Sequence, residues 1–149
     1  MAKPTTVKFG QFFVRLSDGA ATPTFTAPCG FTSKSFNRSK TFGETNVPDC
    51  DDPDAPSWIE RDVQSMSGSI SGEGVLAKSA IPEWEAALAD TDSIECEVEF
   101  VYPDGDSDIY TGNFHVESFE ASGARGERVT VSVSMQSDGE ITYERTTAV

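Results

Sequence analysis

Apolar and polar residues alternate with period two through two stretches of this chain. In Ile94 to Tyr102, the apolar side chains of Ile94, Cys96, Val98 and Phe100 interleave with Glu95, Glu97 and Glu99. A strand built on that pattern sends the apolar set to a core and the carboxylates to the opposite face. Ile109 to Phe119 follows after Pro103-Asp104-Gly105-Asp106, a polar turn whose Gly tolerates positive φ, so the two runs predict a hairpin. Arg128 to Gln136 repeats the alternation, with Val129, Val131, Val133 and Met135 inward and Thr130, Ser132 and Ser134 outward. Ser137-Asp138-Gly139-Glu140 then predicts a second hairpin into Ile141 to Arg145.

The remaining segments are patterned less regularly. Val7 to Leu16, rich in Phe and Val, predicts a strand with Phe9, Phe13 and Val14 in the core, closed by the turn Ser17-Asp18-Gly19. Pro23, Pro28 and Gly30 limit Ala20 to Phe31 to a short or edge strand. Lys34 to Phe42 places Lys34, Phe36, Arg38 and Lys40 at alternate positions, which suggests a basic, exposed strand and makes Lys34, Arg38 and Lys40 candidates for a docking face. Gln64 to Leu76 reads as a Ser/Gly-rich strand carrying Met66 and Ile70, with room for close backbone approach or a bulge. Ser79 to Asp90 predicts the one helix: Pro82 suits its first turn, Glu83 and Glu85 suit the positive end of the dipole, and Ile81, Trp84 and Leu88 share a face. Many short strands with one helix indicate a mainly β domain, a β-sandwich or barrel with one flanking α-helix, spanning residues 1–149 as a single unit.

Gly43 to Asp62 breaks the periodicity. Pro48, Pro53 and Pro56 stand among Glu44, Asp49, Asp51, Asp52, Asp54, Glu60 and Asp62, and this reads as a long acidic loop, mobile in the free protein. It nevertheless holds Trp58 and Ile59. A large aromatic in such a loop either half-buries against its own domain or anchors a neighbouring subunit. Trp58, Ile59, Asp51, Asp52 and Asp54 are therefore the candidate inter-subunit residues.

Charge narrows the functional class. The net charge is −14, which opposes both nucleic-acid binding and attachment to anionic membranes, since each depends on Lys and Arg. Met1 to Gly43 carries +5 and Glu44 to Val149 carries −19, so one part of a molecule has the sign to attract another part or another copy. Three cysteines, Cys29, Cys50 and Cys96, are an odd and dispersed set, which favours reduced thiols. No apolar run follows Lys3 and Pro4, and no stretch of about 18 apolar residues occurs, so neither a signal peptide nor a membrane span is expected.

Motif chemistry is sparse. Asp49, Asp51 and Asp54 with Glu60 echo a calcium loop, but Pro53 stands where a ligand is needed and Asp54 where the sharp turn requires Gly. His115 has no nucleophile placed beside it by any motif. Gly68-Ser69-Ile70-Ser71-Gly72 has Ile at the position of an elbow nucleophile. Cys29, Cys50, Cys96 and His115 lack zinc-site spacing. Neither an enzyme nor a cofactor is expected.

The order of parts carries a resemblance. A first Phe/Val strand, a long acidic loop, the Ser/Gly strand Met66 to Leu76, the Trp84 helix, the acidic strand and a terminal strand closing on Asp138-Gly139-Glu140 together resemble the tail tube proteins of long, flexible-tailed bacteriophages. The resemblance implies a β-sandwich flanked by a helix, hexameric rings stacked head to tail, and a smooth negative channel for DNA. It implies a virion tail protein assembled in the bacterial host cytoplasm, with tape measure, terminator and distal-tail proteins as partners. The appended C-terminal immunoglobulin-like domain found in some members is not expected here. Glu95, Glu97 and Glu99, or the equivalent face of a neighbouring strand, are then candidates to line the channel. Two other readings stay open: another tail component of this fold, such as a terminator or distal-tail protein, or a β-sandwich module binding carbohydrate or calcium through Trp58, Tyr102 and the Asp49 to Asp54 carboxylates.

Overall fold

A computed structural model describes residues 3–17, 25–26 and 30–147. A 3-10 turn at Phe9–Gln11 leads into eight strands and one helix: β1 (Phe12–Ser17), β2 (Phe25–Thr26), β3 (Phe31–Asn46), β4 (Ile59–Val75), α1 (Ile81–Ala89), β5 (Ile94–Val101), β6 (Ser107–Ser122), β7 (Thr130–Ser137) and β8 (Thr142–Thr146). The strands make one antiparallel sheet in the order β2-β1-β5-β6-β7-β4-β3, with β8 also paired to β6.

The sheet curls until its ends face one another across the core. Phe36 of β3 meets Tyr110 of β6 at 5.2 Å between ring centroids, and Lys34 Nζ donates to the Phe12 carbonyl of β1 at 2.9 Å. The alternation in β5 and β7 does what it predicted: Cys96, Val98, Val131, Val133 and Met135 are buried together with Val14, Leu16, Ile70 and Phe114. Helix α1 closes the interior, its Trp84 wedged between Phe31 and Phe119. Ala87 rather than Leu88 completes the buried face of α1, and Leu88 is 40% exposed. Phe9 lies on the surface and Phe13 is only partly buried outside the core cluster, whereas Val14 and Leu16 enter the core and Phe12 packs against it.

Two expectations are corrected. The segment Gly43 to Asp62 is not all loop: β3 and β4 pair continuously from Phe31↔Gly74 to Asn46↔Ile59, leaving only residues 47–58 as the connection. Carboxylates and prolines dominate the composition of that segment, yet cross-strand pairs such as Phe42↔Val63 and Glu44↔Arg61 keep its ends in the ladder. Nor do β7 and β8 form a hairpin. Both run antiparallel to β6, and the Asp138 amide donates to the Asn113 carbonyl at 2.8 Å across the interruption, so β8 continues the line of β7.

The glycines of β4 permit the close contacts expected of them. A Cβ at Gly74 would lie 2.1 Å from the Gly30 carbonyl oxygen and 2.5 Å from Phe31 Cα, both backbone atoms. Gly74→Ala is expected to destabilise the fold by about 1–3 kcal/mol, as overpacking does. Gly10, with nothing within 4 Å of its added Cβ, is the control. A Gly74→Ala denaturation midpoint no lower than that of Gly10→Ala would contradict the assignment of this close approach.

Candidate functional site

The most prominent surface feature is an arm. β7 covers β4 only from Ser69 onward, so Ile59–Gly68 pairs with β3 alone and projects as a two-stranded ribbon. The ribbon is held by Ser39–Ser67 and Thr41–Ser65 hydroxyl bonds, by the Arg61–Glu44 ion pair at 3.2 Å, and near its tip by Ser57 donating to Asn46. Strand alternation places Phe36, Arg38, Lys40, Phe42 and Glu44 of β3 on one face, continuous with the core side. The extra residue Gln64, at the register shift between Thr41 and Phe42, puts Met66, Val63, Arg61 and Ile59 of β4 on that same face.

Within the domain that face is covered by the core. On the arm it is bare: Phe42 and Val63 are each 51% exposed, Met66 73%, and Trp58 at the tip 94%. Trp58 therefore does not half-bury against its own domain. Ile59 is the first residue of β4 and half-exposed, whereas Asp51, Asp52 and Asp54 lie in the exposed connection with Asp49, whose carboxylate accepts from the Asp51 amide at 3.0 Å. Among the described residues no three His, Cys, Asp or Glu side chains gather to hold a metal.

The basic trio of β3 does not form one exposed docking face. Lys34 is half-buried between the sheet ends, its ammonium beside the Phe9 and Phe12 rings, and desolvation, with Arg15 nearby, lowers its pKa. Arg38 stacks over Tyr110 at 4.5 Å and over Phe36 at 5.5 Å. Arg38 and Lys40 are both exposed, and Lys40 stands opposite Met66.

Two outward faces carry carboxylates. Glu95, Glu97 and Glu99 share one side of β5 as their spacing predicted, but Arg15 of β1 reaches across to Glu97 and Glu99, each at 3.1 Å, and offsets one of the three negative charges of that group. The second face spans β3, β4, β7 and the distal part of β6. Register aligns Asn37, Ser69, Gln136 and His115 in one row, Ser35, Ser71, Ser134 and Ser118 in the next, and Ser33, Glu73, Ser132 and Glu120 in a third. Glu117, beside the register shift in β6, accepts from Gln136 at 2.9 Å and from Ser134 at 3.4 Å. These rows hold hydroxyls, amides, His115 and carboxylates, with no Lys or Arg. The signal for this face was present in the Ser/Gly strand and in Thr130, Ser132 and Ser134, but only the register shows that they join.

A buried polar node had no counterpart in the sequence reading. Asp108, 5% exposed, accepts from Arg145 Nε at 2.7 Å and Arg145 Nη2 at 2.9 Å, from the Tyr143 hydroxyl at 2.7 Å, and from the Tyr102 hydroxyl. The Arg145 hydrogen bonds foremost, reinforced by the two tyrosines, hold its carboxyl far below the usual range against the opposing effect of burial. Tyr102 and Tyr143 are raised, chiefly by donating to that carboxylate. Arg145 also lies over the Tyr102 ring, so Tyr102 is engaged inside this cluster instead of standing free to stack on a sugar. Cys96, fully buried, has its thiol pushed up to about 12, by desolvation first and by Glu95 second, and is chemically inert in the fold.

The profile of the phage tail tube protein family matches residues 6–143. Among solved structures, the chain is similar to one from the tail of an empty gene transfer agent particle refined with C6 symmetry, at 17% identity and TM-score 0.74, covering 93% of this chain and 99% of that one. A native gene transfer agent virion chain gives 19% identity and TM-score 0.71 over 93% and 99%. The SPP1 tail tube gives 16% identity and TM-score 0.63 over 96% of this chain and 81% of that one. No curated protein sequence matches. These structural likenesses share the fold, and the family profile spans nearly all of the sequence: the chain belongs to the phage tail tube protein family.

Proposed function

We propose that this chain is the repeating subunit of a tube made of stacked rings, six subunits to a ring, through which DNA leaves a phage or phage-like particle. The observation that carries the reading is the arm. A soluble domain with a filled core gains nothing by holding Phe42, Val63, Met66 and Trp58 in water on a two-stranded ribbon, and such a ribbon is marginal alone. Both features make sense when the ribbon lies against another copy. The contact is heterologous, arm to a different surface, and contacts of that kind propagate as open filaments. Hexameric symmetry is supported by the C6 gene transfer agent tail of the same fold.

The rows of Ser, Asn and Gln with His115, Glu73, Glu117 and Glu120 suit the wall of a DNA conduit. A duplex sliding past needs a surface without cations to hold its phosphates, and carboxylates act on it over about 8 Å at physiological salt. The β5 face bearing Glu95, Glu97 and Glu99 is the second candidate wall, and the Arg15 guanidinium within it makes it the less suitable one. The role is structural, with a tape measure, a terminator and a distal-tail protein as partners and assembly in the host cytoplasm before incorporation into the tail.

Negative-stain electron microscopy of the purified protein, over a range of concentration and with tail-tip complexes added as initiator, tests this function. Hollow tubes or stacked rings are expected. A protein that remains monomeric under all of these conditions would overturn the reading, and thermal stabilisation by calcium or an oligosaccharide would then favour the binding module.

A further inference from the structure

The two ends of β4 carry opposite charge. At one end, residues 47–58 connect the arm strands and contain Asp49, Asp51, Asp52 and Asp54 with no Lys or Arg. At the other end, the Leu76 amide donates to the Val129 carbonyl at 3.0 Å, which brings the loop after β4 beside the turn between β6 and β7. That rim holds Lys78, Arg125 and Arg128, all exposed, against the single carboxylate of Glu127. None of the three cations forms an ion pair among the described residues. Val75 and Val129, 40% and 41% exposed, lie on the same rim. At about 3.3 Å per residue, the 17 residues of β4 set tip and rim about 50 Å apart on opposite ends of the molecule.

We infer that the rim is the receptor for the arm tip of a second copy of this chain, with Lys78, Arg125 and Arg128 facing Asp49, Asp51, Asp52 and Asp54 of the subunit stacked upon it. The inference rests on the tube reading and adds to it the partner surface and the direction of growth. Tip against rim brings opposite charges together beside apolar side chains on both sides, Trp58 and Val47 from the tip and Val75 and Val129 from the rim. Tip against tip would oppose four aspartates to four aspartates, so a ring docks in one orientation only. Exposed pairs contribute little individually, but their summed field sets encounter rate and rejects the wrong orientation, and a ring presents the pattern once per subunit.

The test is a charge exchange. One variant carries Lys78→Glu, Arg125→Glu and Arg128→Glu, a second carries Asp51→Lys, Asp52→Lys and Asp54→Lys, and a third carries all six. Every position is exposed, so circular dichroism and melting temperature serve as checks that each variant is folded; the neutral set Lys78→Gln, Arg125→Gln and Arg128→Gln replaces any reversal that is not. Each three-fold reversal is expected to slow tube growth at low salt by about tenfold or more, the neutral set to slow it less and to lose its salt dependence, and the six-fold exchange to restore growth. Tubes from either three-fold reversal at the wild-type rate would overturn the rim as receptor while leaving the tube itself standing. Slow growth that the six-fold exchange does not restore would overturn the pairing of these two ends. Failure of the wild type to form tubes with initiator present would instead overturn the tube reading, and the inference with it.

Discussion

Trp58→Ala is expected to abolish tube formation at concentrations where the wild type is expected to polymerise, and to leave the monomer folded. At 94% exposure the indole contributes almost nothing to the isolated domain, so the melting temperature is expected to stay within a change of about 0.5 kcal/mol in stability. In an assembly the same side chain has the size and rigidity of an interface anchor, and truncating such an anchor costs about 2–4 kcal/mol per contact. Each 1.4 kcal/mol is tenfold, so the critical concentration is expected to rise by about 30-fold or more. Sedimentation and turbidity against protein concentration measure it. Phe42→Ser on the arm's apolar face is expected to act in the same direction. Phe114→Ala, in the buried core, should instead unfold the domain, which separates an assembly defect from a folding defect. A Trp58→Ala protein that polymerises at the wild-type threshold would remove the arm tip from the interface.

Asp108→Ala is expected to destabilise the monomer and to free β8. Every residue of β8 is exposed, and the strand is held by its ladder to β6 and by the side chains of Tyr143 and Arg145 on the Asp108 carboxylate. Removing that carboxylate leaves Tyr102 and Tyr143 without their acceptor and Arg145 without its ion partner. Hydrogen bonds to a charged group contribute about 1.5–3 kcal/mol, and a loss of that size is expected in chemical denaturation. The pH dependence carries the signature. Because the folded carboxyl titrates far below its unfolded value, the contribution is fully present above about pH 4 and is lost as pH falls below it toward the folded value. Wild type should lose stability over that acidic interval, and Asp108→Ala should show a shallower slope. Hydrogen exchange at Thr142 to Arg145 should rise in the variant under conditions where β7 stays protected. Unchanged stability and equal slopes would show that the cluster holds nothing.

How much of this was legible follows from where the information lies. β5, β7 and the Pro103 to Asp106 hairpin depend on local alternation and one turn glycine, both visible in sequence, and Gly105 does adopt φ of +96°. The helix was legible from Pro82 and Trp84, but Ala87 and Leu88 lie three and four residues after Trp84, both compatible with its face, and only the packed structure shows that Ala87 is the buried one. The arm was hidden because its ends pair only with each other: Phe42 and Val63, or Glu44 and Arg61, mean nothing until register puts them opposite. Composition made the whole of Gly43 to Asp62 look like a loop, when only its centre is one. Asp108 was legible in principle. Extending the inward parity of Phe114, Gly112 and Tyr110 back through β6 lands on Asp108, a carboxylate at a core position that requires a cation, and Arg145 is the cation that β8 supplies. The Glu95, Glu97 and Glu99 triplet shows the converse. Its spacing placed it on one face, but no local pattern announced that Arg15, from a strand far away in sequence, would sit among its carboxylates.

The most direct measurement is a helical cryo-electron microscopy reconstruction of tubes grown from this chain. Six subunits per ring are expected, with Trp58 buried against the next ring, its tip aspartates beside Lys78, Arg125 and Arg128, and the Ser35, Ser71, Ser134 and Ser118 row facing the bore. A tube in which Trp58 stands in solvent and the arm touches no other subunit would contradict the account.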